Sequence, residues 1–221
     1  QTNWTRVVEL DRDHRVVWSY DAAAMNGNAG RKVEVHAFQR LPDGLTLIAE
    51  SGPGRIIEVD RDGRIRREVK LRIDRPDAHR DTRLARKLDN GHYLVCHEGD
   101  SQVREYDGSG RVVWSHAVTS ADGKPAAVYS ASRLPNGNTL IGAGNGHRVI
   151  EVNPAGRVVW SIEEKDLPGV TLAWVTLTER LSNGNTFVVN CHAGPDQPQL
   201  LEVTPAKAVA RSEEHTSELQ S

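Results

Sequence analysis

Short runs of branched apolar residues alternate with polar turns along this chain, and the pattern repeats. Leu47-Ile48, Ile56-Ile57, Leu140-Ile141 and Val158-Val159 are such runs, built from residues that fit a pleated, half-buried surface. No helix-length segment shows a helical period. Asp43-Gly44, Asn90-Gly91, Asn136-Gly137 and Asn183-Gly184 punctuate the runs. These dipeptides accept the positive φ of a two-residue hairpin turn. Each therefore marks the A–B turn of a repeat with four strands, A to D. The turn glycines are spaced by 47, 46 and 47 residues.

A second turn, C to D, is predicted at Asp60–Gly63, Asp107–Gly110 and Asn153–Gly156. A polar residue opens a type I turn there and glycine takes the left-handed position after it. His14 stands in place of that glycine in the first copy, and Lys207 in the last. Repeats of this length holding four strands are the signature of propeller blades. The expected fold is all-β: a β-propeller of four-stranded antiparallel blades, truncated, with about four to five blades of a larger ring present. Residues 1–209 form the partial propeller, with a blade remnant at 4–20, blades at 36–71, 80–116 and 127–162, and a partial blade at 173–209. The stretch 166–175 is expected to be irregular. The tail, residues 211–221 (RSEEHTSELQS), matches the in-frame translation of a common sequencing-library adapter. It is expected to be non-native and without evolved function.

Repetition also sorts residues by role. Trp18, Trp114 and Trp160 share one strand-D register, where Arg67 replaces them once. A large apolar plate there is expected to pack against the next blade. Glu9, Glu58, Glu105, Glu151 and Glu202 share one strand-C position. Their recurrence assigns them to structure, paired with neighbouring arginines. What differs between repeats is left for function. The B–C and D–A connections vary, and variable loops on a rigid scaffold carry function. His36, His79, His97, His147 and His192 fall on that loop face. His36, Arg83, Tyr129 and Thr176 begin the four strands A and differ in every blade. The candidate catalytic residues are His36, Arg83, His97 and Tyr129. The candidate ligand-binding residues are His147, Asn190 and His192. Glu50, His97, Ala143 and Asn190 share one B–C register. The expected partner is a small-molecule ligand or a protein on the loop face.

Charge and composition narrow the classes. The net charge is -2 with both signs mixed along the chain, so no basic stripe points to nucleic acid. No apolar run approaches the roughly 18 residues of a membrane span. No HxH or HExxH spacing points to a metal, so none is expected. Two cysteines, Cys96 and Cys191, stand in nonadjacent repeats and are not expected to pair.

The phrases LPNGNTLIGAGNGHRVIEVNPAGRVVW and LDNGHYLVCHEGDSQVREYDGSGRVVW resemble bacterial quinoprotein-like propellers of PQQ-like repeats. They also resemble the arylsulfotransferase propellers. The resemblance covers residues 4–209. The quinoprotein side implies PQQ beside a Ca²⁺ ion, often with a pair of adjacent cysteines. The arylsulfotransferase side implies a channel histidine that accepts a sulfuryl group, with further histidines and an arginine around it. His36, His97, His192 and Arg83 are the residues that could fill such roles. The resemblance also implies export to the periplasm or cell surface. Three readings follow: a binding propeller, a sulfotransferase-like enzyme, or a structural and assembly propeller.

Overall fold

The structure is a computed structural model and describes residues 5–214. Its strands are β1 (Arg6–Leu10), β2 (Val16–Asp21), β3 (Glu34–Arg40), β4 (Thr46–Ser51), β5 (Arg55–Val59), β6 (Ile65–Lys70), β7 (Ala85–Lys87), β8 (Tyr93–His97) and β9 (Gln102–Tyr106). They continue as β10 (Val112–Ala117), β11 (Ser130–Arg133), β12 (Thr139–Gly142), β13 (Arg148–Val152), β14 (Val158–Glu163), β15 (Trp174–Arg180), β16 (Thr186–Cys191), β17 (Pro198–Val203) and β18 (Val209–Glu214). A single 3-10 turn, Glu164–Asp166, is the only helical element among the described residues. Strands β1 and β2 pair alone, and the rest form four four-stranded sheets in chain order. Each sheet is an up-and-down antiparallel meander. This is the β-propeller of four-stranded blades that the repeat predicts.

The chain divides into two compact units. One holds the residues up to Asp100 with Arg104–Ser115, and the other holds Ser101–Val103 with the residues from His116 onward. In the first unit, Trp18 and Tyr20 pack with Ile48, Ile57 and Val59. Leu47, Ala49 and Ile56 pack with Tyr93, Val95 and Tyr106. In the second, Leu140, Val149 and Ile162 pack with Val175, Val188 and Leu201. Residues of the inner strands B and C thus reach both faces and are buried by the neighbouring sheets.

The recurrent residues form the seams between blades. In four sheets strand D carries one extra residue after the C–D turn, so that Glu9 faces Trp18, Glu58 faces Arg67, Glu151 faces Trp160 and Glu202 faces Arg211. Such a bulge bends the outer strand and turns one side chain toward the neighbouring sheet. Trp18 Nε1 donates to Arg61 O at 2.9 Å, and Trp160 Nε1 to Pro205 O at 3.1 Å. A basic side chain from the next strand A covers each ring, Arg40 over Trp18 at 5.3 Å and Arg180 over Trp160 at 4.7 Å. The recurrent glutamate holds that basic residue. Glu151 pairs with Arg180 at 2.8 Å, and Glu58 pairs with Lys87 at 2.6 Å while accepting the Tyr93 hydroxyl at 2.6 Å. Trp, Glu and the basic residue therefore make one joint, and their recurrence is structural.

The turn chemistry is as the sequence predicts. His14 and Lys207 take φ of 60° and 67°, beside 76°, 87° and 80° for Gly63, Gly110 and Gly156. The last sheet differs from expectation. Its fourth strand is present as β18, with Arg211 opposite Glu202 and Ser212 opposite Leu201. A ladder needs only backbone N–H and C=O groups, and Ala210, Arg211, Ser212 and Glu213 are exposed there. Polar side chains are therefore tolerated on this edge. Residues 215–221 of the adapter-like tail lie outside the described residues, as does residue 4 of the first blade remnant.

Candidate functional site

The register predicted to begin strand A is irregular: His36 and Thr176 are bulged third residues of β3 and β15, and Arg83 and Tyr129 stand just before β7 and β11. His36 is skipped between Val35 opposite Glu50 and Ala37 opposite Ala49, and Thr176 between Val175 opposite Asn190 and Leu177 opposite Val189. At β7, Arg83 N donates to Cys96 O at 2.9 Å while Leu84 O accepts from Cys96 N at 2.8 Å, so two residues oppose one. At β11, Tyr129 N reaches Gly142 O at 3.3 Å although Ser130 is the paired residue. A bulged residue leaves the in-out alternation, and its side chain is re-aimed. His36, Arg83, Tyr129 and Thr176 are thus set apart by the backbone itself.

In the first unit this re-aiming assembles a cluster. His36 Nε2 lies 3.1 Å from Glu34 Oε2, and His79 Nδ1 lies 2.6 Å from the same oxygen. The two imidazole rings meet edge to face at 5.4 Å. Arg83 Nη1 approaches His36 Nε2 at 3.5 Å, and Arg83 Nε is held by the Glu98 carboxylate. His36, Glu34, Arg83 and Glu98 are largely buried, whereas His79 is half exposed. Burial, helped by the Arg83 charge, lowers the His36 pKa against the pull of Glu34. Burial opposes ionisation of Glu34, but the His79 hydrogen bond and the charges of His79, His36 and Lys32 outweigh it and hold the carboxyl below its usual range.

His97 does not join this cluster. It is fully buried, with Nδ1 donating to Asp81 O at 2.7 Å and Nε2 accepting from the Tyr106 hydroxyl at 2.8 Å. Burial pushes its pKa down to about 4. Asn190, at the same register, is equally buried. It accepts from Ala173 N at 2.9 Å and donates to Thr171 O at 2.8 Å and Pro198 O at 3.1 Å. Glu50 accepts Arg55 Nε at 2.7 Å, and Arg55 in turn reaches Asn26 O at 2.9 Å. At the end of strand B, Glu50, His97 and Asn190 are therefore clasps that fasten the preceding D–A loop to the blade. Three different polar side chains perform this role, with Ala143 in the fourth copy, which is why the variability of the position read as function.

In the second unit Tyr129 meets Trp174 edge to face at 5.7 Å, and Trp174 meets His192 at 6.4 Å. His192 and His147 take left-handed φ of 62° and 55°. His147 Nδ1 donates to Leu172 O. Its ring also borders a cleft of about 520 Å³ lined by Ser120, Asp122, Lys124, Asn145 and Lys165.

The cofactors that the quinoprotein resemblance implies do not fit. Cys96 lies in β8 and Cys191 in β16, and both are free. Burial raises the Cys96 thiol well above its usual range. The adjacent-cysteine element is thus missing, and the two imidazoles beside Glu34 are foreign to the all-oxygen shell of Ca²⁺. Sequence reasoning selected His36 and Arg83 but passed over Glu34, Glu98 and Trp174, and left His79 as one loop histidine among several. Glu34 stands two residues before His36, a spacing that puts both on one face of a regular strand. The remaining partners come from distant loops and carry no local signal.

The fold and the seam chemistry define a β-propeller protein. The chain belongs to the Mal s 1 allergenic protein-like family, which it matches over residues 6–196. None of the curated proteins matches it. Among solved structures it is similar to a protein of unknown function from Bacteroides caccae, with a TM-score of 0.77 and 25% identity over 96% of this chain and 75% of that one. It is also similar to a catalytically inactive variant of virginiamycin B lyase from Staphylococcus aureus with quinupristin, with a TM-score of 0.62 and 13% identity over 86% of this chain and 58% of that one. A third is the extracellular domain of a putative hybrid two component system from B. thetaiotaomicron, with a TM-score of 0.62 and 12% identity over 92% of this chain and 30% of that one. Among the described residues no helix is long and apolar enough to cross a membrane.

Proposed function

We infer that this propeller is a binding protein whose ligand is a small anionic molecule held at His36 and Arg83. One observation carries the reading. The His36 bulge and the loop that follows its blade bring His36 and His79 against one largely buried carboxylate, Glu34, with Arg83 against the His36 ring. Burying charged groups is costly unless they are paired, so a cluster this dense at re-aimed positions is better suited to recognition than to fold stability. Arg83 offers a planar donor fork for carboxylate, sulfate or phosphate oxygens. The same reading includes a location in the periplasm or outside the cell, in keeping with the extracellular neighbour.

Sulfuryl transfer is a second reading, favoured by the Arg83–His36 approach of 3.5 Å. A neutral imidazole can attack sulfur, and an adjacent guanidinium can hold the sulfate oxygens. One experiment serves both. Thermal stabilisation of the full chain is measured with sulfate, phosphate, small carboxylates and an aryl sulfate, and phenol release is followed for the last. Binding without turnover, lost in Arg83→Ala, supports the first reading. Turnover lost in His36→Ala supports the second. Stabilisation unchanged by both substitutions sinks the site.

A further inference from the structure

We propose that Glu34, His36 and His79 bind a divalent transition-metal ion of the zinc class, with one coordination position left open beside Arg83. The proposal rests on reading this cluster as a ligand-binding site, and it names the element that would hold the ligand.

The donor atoms are Glu34 Oε2, His36 Nε2 and His79 Nδ1, all within 4.8 Å of one another. Two of the separations are 3.1 and 2.6 Å. Ligands about 2.0–2.1 Å from a tetrahedral ion stand about 3.3 Å apart. The His36–Glu34 separation is already close to that, and an adjustment of less than about 1 Å at the His79 side would open the other for an ion. Two imidazoles and one carboxylate with an open fourth position is the donor set of a reactive or ligand-holding zinc site, and imidazole nitrogen selects against Ca²⁺ and Mg²⁺.

The donors are held in place before any ion arrives. Glu34 pairs with Ser51 at the start of β3, and His36 is the bulged residue beside it. The His79 loop is tied down by a chain of hydrogen bonds. His79 N donates to Asp77 Oδ1 at 2.9 Å, Asp77 N to Asp81 Oδ1 at 2.7 Å, and Gly52 N to Asp81 Oδ2 at 3.0 Å. The exposed His79 provides the entry side. Two cations stand nearby. Lys32 Nζ is 3.6 Å from the other Glu34 oxygen and largely exposed, so it can swing into water. Arg83 is engaged by Glu98, whose carboxylate balances it. Arg83 then sits where it would meet an anion bound to the open position of the metal.

The test is a titration of the full chain, without an affinity tag and after chelator treatment, with Co²⁺ and then Zn²⁺. The expected result is the visible absorption of low-coordinate Co²⁺, saturating at one equivalent and displaced by Zn²⁺. His79→Ala and Glu34→Gln are each expected to weaken Zn²⁺ binding at least about tenfold, while His14→Gly, on a C–D turn, leaves it unchanged. Circular dichroism confirms that each variant is folded. His79 is exposed, so its variant decides the matter even if a Glu34 variant does not fold. No absorption at one equivalent, or equal Zn²⁺ affinity in His79→Ala and the parent, overturns the proposal. Anion binding by the chelator-treated protein that still needs Arg83 would leave the binding reading standing while the metal proposal fails. Metal binding without any anion effect would reverse that outcome.

Discussion

Acid should loosen this protein through His97, a residue buried at the last position of β8. In the folded chain its imidazole donates to Asp81 O and accepts from Tyr106, and burial holds its pKa at about 4 against 6.5 for a free histidine. Above pH 6.5 the ring is neutral in both states and its titration contributes nothing. As pH falls through 6.5 the unfolded chain takes up a proton that the folded chain refuses, and stability is lost. The loss stops near pH 4, where the folded ring is protonated too. The full difference corresponds to about 3 kcal/mol, of which about 2.5 kcal/mol is gone at pH 4.5. His97→Asn removes the titration and keeps a polar clasp of the kind Asn190 provides in another blade. At pH 7 the substitution is expected to cost about 1–3 kcal/mol from the weakened Tyr106 contact and the lost volume. Urea unfolding at pH 7 and 4.5 gives the measurement. The parent should lose about 2.5 kcal/mol more than the variant over that range, near a 1 M difference in midpoint shift. Asp81, whose pKa burial raises, works in the opposite sense. Asp100, where hydrogen bonds outweigh burial and lower the pKa, works in the same sense. Both are present in parent and variant, so they drop out of the difference. Equal acid losses in the two proteins would refute the reasoning.

Three further outcomes are expected from the same physical chemistry. Gly52→Ala should destabilise by more than about 3 kcal/mol, since φ there is +94° and a new Cβ would stand 2.2 Å from Lys32 O. Thermal melting would show it, and a near-normal melting temperature would contradict it. Glu58→Ala should cost about 3 kcal/mol by leaving Lys87 and the Tyr93 hydroxyl buried without their shared acceptor, with chemical denaturation as the assay. His14→Gly should stabilise by about 0.5–1 kcal/mol, because a left-handed backbone is strained for a residue with a Cβ. A loss of stability on that change would count against the turn assignment.

The sequence by itself determined the blade. Asn-Gly and Asp-Gly pairs at intervals of 46 or 47 residues mark hairpins whose backbone demands are local. A glutamate and a tryptophan recurring in step reveal a shared seam without any coordinates. These features are legible because a turn or a strand face is specified by neighbours in the chain. The irregular backbone at His36, Arg83, Tyr129 and Thr176 was visible only as a register where residues differ, since a local shift of strand pairing leaves no mark in composition. His97 and Asn190 show the opposite case. They varied as functional residues would, yet burial and full hydrogen bonding make them clasps. The sequence could place Glu34 beside His36, but His79 and Arg83 lie more than forty residues away. Only the stacking of one blade on the next brings His79 to the Glu34 carboxylate and Arg83 to the His36 ring, because a charge cluster is defined by distance in space.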